Sequence, residues 1–165
     1  MLQRSIAEVL AGKEIRDIVS TPATSTVADA AALMLKKGVG AIVVRAGAGR
    51  VEGIFTERDL LSRVVTEGRD PKTTPIGAVM SPNVRAVPSA TTIQDALLLM
   101  VEHRYRHLLV QDGDRVVGLV SIRDLMFSQI MQDEAPPHEG RPGVLRARTE
   151  EALSAVQPLG RGGPT

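Results

Sequence analysis

Two hydroxyl–carboxylate pairs, Thr56 with Asp59 and Ser121 with Asp124, carry the chemistry legible in this chain. Both sit in one setting. Gly53-Ile54-Phe55-Thr56-Glu57-Arg58-Asp59-Leu60 returns 65 residues later as Gly118-Leu119-Val120-Ser121-Ile122-Arg123-Asp124-Leu125. In each copy a glycine and a short apolar strand lead to the hydroxyl, and Arg-Asp-Leu opens a helix. Backbone amides gather at such a junction, where a phosphate can dock. The same spacing is that of a helix capping box, in which the hydroxyl and the carboxylate satisfy the first amides. One set of groups can serve both purposes, and spacing alone leaves the two readings open.

Other chemistry is sparse. His103 and His107 have the H-x-x-x-H spacing that faces one metal ion on a continuous helix. The helix is expected to end near Arg104, which sends the rings apart, and no third ligand is evident, so no metal site is expected. There is no cysteine, which excludes disulfides and thiolate metal sites and suits a reducing, cytoplasmic setting. No Walker-type loop or serine elbow is present. Asp59 and Asp124 stand in separate repeats, and nothing pairs them for acid–base work. The expectation is a protein that is not an enzyme.

The elements that must position these groups are also written twice. Ile6-Ala7-Glu8-Val9-Leu10 corresponds to Ile76-Gly77-Ala78-Val79-Met80, Pro22 to Pro88, and Ile42-Val43-Val44 to Leu108-Leu109-Val110. Val27, Ala30, Ala31, Met34 and Leu35 fall at helical spacing, as do Ile93, Ala96, Leu97, Met100 and Val101. Thr26 with Asp29 and Thr92 with Asp95 cap the starts of these helices. Gly38 ends the first; the second has no glycine there and is expected to stop less sharply. An apolar strand, a turn (Ala46-Gly47-Ala48-Gly49 or Asp112-Gly113-Asp114) and a second strand follow. The final helices are expected over Asp59 to Val65 and Asp124 to Met131.

With a short strand before each proline, every repeat reads β-α-β-β-α, an α/β (α+β) unit too small to fold reliably alone. Two such units packed through their sheets would bury a shared aliphatic core. The core must be aliphatic because Phe55, Tyr105 and Phe127 are the sole aromatic residues. The predicted organisation is repeat 1 over 5–67, a linker over 68–74, repeat 2 over 75–131 and a flexible Pro/Gly-rich tail over 132–165. The tail holds four Arg against five acidic residues and His138, so it is no basic arm. Thr149 to Val156 could form a short helix within it.

Twenty basic residues balance nineteen acidic ones. The chain thus offers no overall field to draw nucleic acid or an anionic membrane. The longest apolar run, Ala96 to Val101, is too short to span a bilayer, and Glu8 interrupts any signal-like stretch.

The doubled G-h-h-[TS]-x-R-D-L motif (h apolar), the Thr-Val-x-Asp-Ala-Ala-x-x-Met helix and the Arg-Tyr-Arg-His-Leu-Leu-Val stretch resemble a tandem cystathionine-beta-synthase (CBS) domain pair, known as a Bateman module. The resemblance covers about Ser5 to Met131. It implies two repeats related by a pseudo-two-fold axis, two clefts that bind adenosine-containing ligands, and assembly into a homodimer. AMP, ADP or ATP is the expected ligand, with NAD or an S-adenosyl compound as alternatives; no cofactor is obligatory.

In the family pattern the hydroxyl serves the phosphate and the aspartate the ribose. Matched here, one cleft uses Ser121 and Asp124 with Arg106 and His107 at the phosphate, and Val19 and Val39 at the base. The other uses Thr56 and Asp59 with Arg85 and Tyr105 at the base. It has Gly40 and Ala41 where the first has Arg106 and His107, which ranks the Ser121 cleft first. Arg58 and Arg123 are expected mainly to pair with nearby carboxylates. The resemblance implies a non-catalytic nucleotide-responsive regulator acting on a protein target. The alternative is an interaction or scaffold protein, a nucleic-acid-associated one among them, whose clefts are vestigial.

Overall fold

The computed structural model describes residues 4–13, 18–47 and 49–133. Both repeats lie in one compact unit ending at Gln129. In chain order the elements are α1 (Ile6–Ala11), β1 (Ser20–Thr21), α2 (Val27–Lys37), β2 (Ala41–Arg45), β3 (Val51–Thr56) and α3 (Glu57–Asp59). A π-helical turn over Leu60–Val65 and a 3-10 turn over Ile76–Ala78 come next. The second repeat supplies β4 (Ala86–Val87), α4 (Ile93–His103), β5 (His107–Asp112), β6 (Arg115–Ser121) and α5 (Ile122–Asp133). The expected tail over 132–165, with its short helix at Thr149 to Val156 and His138, lies outside the described residues apart from the end of α5.

Each repeat folds one three-stranded sheet, ordered β1-β2-β3 and β4-β5-β6. The first strand runs parallel to the second, and the second and third form an antiparallel hairpin. Gly113 takes the positive φ of 59° that the tight turn into β6 requires. The register sets Ala41 opposite Thr56 and His107 opposite Ser121. Hairpin pairing therefore brings the residues before β2 and β5 to the strand-to-helix junctions.

The long helices start as their sequence predicts. Thr26 Oγ1 accepts the Asp29 amide and Thr92 Oγ1 the Asp95 amide, each at 3.1 Å. Their ends correct one expectation. Helix α4 stops as sharply as α2, because Arg104 takes the left-handed conformation (φ 57°, ψ 30°) that Gly38 takes at the end of α2 (φ 64°). The turn outweighs the steric cost of a side chain there.

The final helices differ between repeats. Helix α5 is regular and starts two residues earlier than expected. In repeat 1, α3 gives way to the wider π turn. There Ser62 Oγ donates to the Arg58 carbonyl at 2.8 Å and Thr66 Oγ1 to the Ser62 carbonyl at 2.6 Å. Such back-bonding competes with the helical ladder. The matching positions in repeat 2 are Phe127 and Met131, which cannot do this.

The buried apolar residues form two clusters rather than one shared core, and each is completed by the other repeat. Ile6 and Val9 of α1 pack with Ile93, Met100, Leu108, Val120 and Leu125 of repeat 2. Ile76 and Val79 pack with Val27, Met34, Ile42, Phe55 and Val64 of repeat 1. Backbone bonds hold the exchange: Ile6 N donates to Thr91 O and Ile93 N to Arg4 O, while Ile76 N donates to Ser25 O and Val27 N to Thr74 O. Burying Ile6 and Ile76 fully stabilises the pairing by roughly 2 kcal/mol each. The sheet faces turned from these clusters are covered too. Ala41, Val43 and Leu109 are buried, as sheet-to-sheet packing of the repeats demands.

The exchange explains the motif glycines. A Cβ on Gly53 would stand 2.6 Å from Ser81 O and 2.7 Å from Met80 Sδ. A Cβ on Gly118 would stand 2.8 Å from Leu10 Cδ2. Each glycine clears the path of the segment arriving from the other repeat.

Candidate functional site

Both hydroxyl–aspartate pairs fold as capping boxes. Ser121 N donates to Asp124 Oδ2 at 2.7 Å, and Asp124 N to Ser121 Oγ at 3.1 Å. Thr56 N donates to Asp59 Oδ2 at 2.9 Å, and Asp59 N to Thr56 Oγ1 at 3.2 Å. What surrounds the two carboxylates differs.

Asp59 is closed in. Its side chain is buried, Oδ2 also accepts the Thr56 hydroxyl at 2.9 Å, and Oδ1 accepts the Ser81 hydroxyl at 3.1 Å. Arg63 Nε stands 3.7 Å from Oδ1 while Arg63 Nη1 donates to the Val79 and Met80 carbonyls. Oδ2 is thus taken up by the cap, and Oδ1 pins the Met80–Ser81 stretch of repeat 2. Nearby, the amide of Glu57 donates to Gly40 O, and a Cβ on Gly40 would sit 3.4 Å from Glu57 Oε2. Ala41 is buried. Repeat 1 therefore sets a carboxylate where repeat 2 sets basic residues.

Asp124 is more open, and its partner is cationic. Lys13 Nζ donates to Asp124 Oδ2 at 2.8 Å and to Leu119 O at 3.0 Å, and both side chains keep 26% of their surface exposed. Burial pushes the Asp124 carboxyl up. The hydrogen bond and charge of Lys13, with the Ser121 amide and hydroxyl, outweigh this and hold it below the ordinary carboxylate value. The His107 imidazole is pushed below its ordinary value, first by burial and then by the Lys13 and Arg106 cations, against Asp124 and Glu57. At neutral pH it stands beside the junction uncharged, able to donate from one ring nitrogen and accept at the other. Arg106 gives its carbonyl to the Ile122 amide and leaves its guanidinium exposed.

The structure thus brings together Ser121, Asp124, His107 and Arg106, and adds Lys13, which the sequence reading missed. Lys13 follows α1 of repeat 1 but reaches repeat 2, because α1 completes the repeat 2 core. Nothing local in the sequence signals that exchange. Val19 and Val39 pack against the repeat 1 cluster, and Val19 O accepts the Val43 amide. Among the described residues no hydrogen bond or ion pair ties either to the Ser121 junction.

Arg85 and Tyr105 line one cavity of about 930 Å³, together with residues from both hairpins. Thr56 and Asp59 are not among its walls. Tyr105 also stacks on His103, ring centroids 5.5 Å apart, so His103 and His107 turn to different neighbours. Among the described residues no cluster of metal-ligating side chains forms, and no helix is long and apolar enough to cross a membrane.

The family described as the CBS domain matches residues 11–66 and 76–130. A CBS domain-containing protein of Bacillus subtilis, YhcV, is 33% identical over 118 residues, 72% of this chain and 83% of that protein. Arabidopsis thaliana CBSCBSPB1 is 29% identical over 123 residues; the match takes 74% of this chain but only 23% of that larger protein. Among solved structures, a protein with CBS domains from Burkholderia ambifaria is 36% identical, with a TM-score of 0.75 over 82% of this chain and all of that one. One from Agrobacterium tumefaciens is 29% identical, with a TM-score of 0.70 over 76% of this chain and 92% of that one.

Proposed function

The chain belongs to the CBS-domain family as a tandem pair, and from that premise we propose that it is a non-catalytic regulatory module binding an adenine nucleotide at the Ser121 junction. The observation that carries this reading is the company of Asp124: an ammonium at 2.8 Å, a neutral imidazole, and an exposed guanidinium on the adjoining strand end. A phosphate is served by the Arg106 fork, Lys13 and the α5 N-terminus together. The Asp124 carboxylate accepts from a ribose diol. At the other junction Asp59 is committed to internal partners, so the capping reading holds there and one nucleotide binds per chain.

Lys13 gives the mechanism. It belongs to the opening segment of repeat 1 and is anchored on repeat 2. A nucleotide that recruits Lys13 changes how that segment is held, and any difference in affinity between the two arrangements shifts their populations. The signal then passes to a partner through a changed surface.

Exposed apolar residues support a homodimer. Leu35 on α2 and Val101 on α4 are equivalent positions, 86% and 70% exposed, and Leu61 with Met126 repeats the pattern. Helix positions left apolar in both repeats are suited to a second copy. Sedimentation of Leu35→Glu together with Val101→Glu should yield monomer where the parent gives dimer.

Calorimetry and thermal shift across AMP, ADP, ATP, NAD and S-adenosylmethionine test the nucleotide reading. A ligand at a hundred times its Kd adds about 2.7 kcal/mol to stability. The expected stoichiometry is one per chain, with binding lost in Asp124→Ala. Silence across the panel would leave the scaffold reading in its place.

A further inference from the structure

Four arginines meet at the cavity of about 930 Å³ between the repeats: Arg45 and Arg50 from the first hairpin, Arg85 and Arg115 from the second repeat. The repeat puts them there. Arg50-Val51 and Arg115-Val116 are equivalent positions, each opening the second strand of its hairpin, and all four residues line this one space. The cavity therefore takes residues from both hairpin ends, together with Tyr105 and the segment leading into β4. Thr56 and Ser121 stand at the opposite ends of the same strands, β3 and β6, about 17 Å away at the rise of an extended chain.

Positive charge dominates there, although Asp112 stands opposite Arg115 in the β5–β6 register and feels its charge. Asp114 is the lone acidic residue among the lining side chains. Among the described residues no ion pair engages any of the four arginines, and Arg45 Nε is buried with no hydrogen-bond partner. A buried guanidinium N–H left unmade costs stability, and like charges facing one space repel. An anion with several oxygens would supply the missing acceptors, and the planar guanidinium fork matches phosphate oxygens two at a time.

We propose that this cavity binds an oligophosphate, a chain of at least two phosphates, at a site separate from the Ser121 junction. The arginines come from both hairpins, and a chain of phosphates offers each of them its own group of acceptor oxygens. Bridging would also clamp the two repeats at the end where the hairpins meet. The proposal does not rest on the nucleotide reading, since its residues and its probe are different.

The probe is inorganic tripolyphosphate, titrated calorimetrically into the full chain, with orthophosphate beside it. Tripolyphosphate should bind at least tenfold more tightly than orthophosphate. Arg50→Gln with Arg115→Gln, both exposed, should weaken it at least tenfold and flatten its salt dependence. Lys36→Gln with Lys37→Gln, which removes the same charge from the exposed end of α2, should leave it unchanged. Arg45→Met supplies a second measurement: it should raise the melting temperature of the ligand-free protein while weakening tripolyphosphate. Equal affinity for the two anions, equal losses in both double variants, or an Arg45→Met protein that binds as before would each overturn the assignment. AMP titrations scored against Asp124→Ala stand apart, so failure of one site is not failure of the other.

Discussion

Lys13 and Asp124 are 111 residues apart in sequence and joined by a 2.8 Å ion pair that ties the lead-in of one repeat to the capping box of the other. In repeat 1 the matching aspartate holds the arriving segment through Ser81 and Arg63. The motif aspartates therefore do double duty, capping a helix and anchoring the exchange of segments between repeats. Only the second does so with an ammonium, on a Lys13 side chain that keeps 26% of its surface exposed.

Removing that ammonium should show in stability and in its dependence on acid. Lys13→Met is expected to lower the unfolding free energy at pH 7 by about 1 kcal/mol, as for a partly exposed pair. Asp124 is held below the ordinary carboxylate value, so its stabilising contribution is present above the unfolded pKa of about 3.9 and is lost as pH falls through the lower folded value. Urea melts of parent and variant should thus differ at neutral pH and converge in acid. A difference that persists unchanged at pH 2 would separate Lys13 from Asp124.

His107 gives the opposite region of the pH axis. Its folded pKa lies below the unfolded value of about 6.5, so between the two the unfolded chain binds the proton more readily. Stability is whole above pH 6.5, declines as pH falls toward the folded value, and then levels off. Burial lowers that folded value first, the charges of Asp124, Lys13, Glu57 and Arg106 adjust it, and these four groups remain in place in a His107→Gln protein. The parent should lose stability between pH 7 and pH 5 relative to His107→Gln. Parallel curves over that range would show that the ring titrates as it does in the unfolded chain.

The two motif glycines should not be equally sensitive. In Gly53→Ala the new methyl meets the Ser81 carbonyl oxygen at 2.6 Å, a backbone atom fixed by the Ile54–Ser81 bridge. In Gly118→Ala it meets the end of the Leu10 side chain, which can rotate away. Overpacking of a site that cannot yield costs about 1 to 3 kcal/mol. Gly53→Ala should fall in that range and Gly118→Ala well below it, as read from denaturant midpoints. Equal losses would mean that Leu10 is as fixed as the Ser81 backbone.

Periodicity carried the fold in this sequence. The spacing of Val27, Ala30 and Met34 and of Ile93, Ala96 and Met100 marked helices whose buried faces hold those residues. The doubled glycine-to-aspartate motif marked the junctions and their capping boxes. What stayed hidden was non-local. Ile6 aligns with Ile76 in sequence, yet each completes the cluster of the other repeat, because a helix reports its apolar face and not which partner covers it. Lys13 was missed for that reason, and so was the closure of Asp59 by Ser81. The left-handed Arg104 was missed because propensity at the end of α4 yielded to the tertiary turn.

That turn supplies the sharpest local test. Arg104 is the one non-glycine residue with positive φ among the described residues, and it ends α4 where Gly38 ends α2. A side chain in this conformation costs roughly 1 to 2 kcal/mol, which glycine avoids. Glycine also makes the unfolded chain freer, and this offsets part of the gain. Arg104→Gly should therefore raise stability by about 0.5 to 1 kcal/mol, and Gly38→Ala should lower it by about 1 kcal/mol. No space is contested at Gly38, since a Cβ there meets nothing within 4 Å, so the loss in Gly38→Ala reads the backbone alone. Thermal melts of both variants give opposite shifts if α4 ends as α2 does; a destabilised Arg104→Gly protein would show that the arginine side chain itself holds the turn.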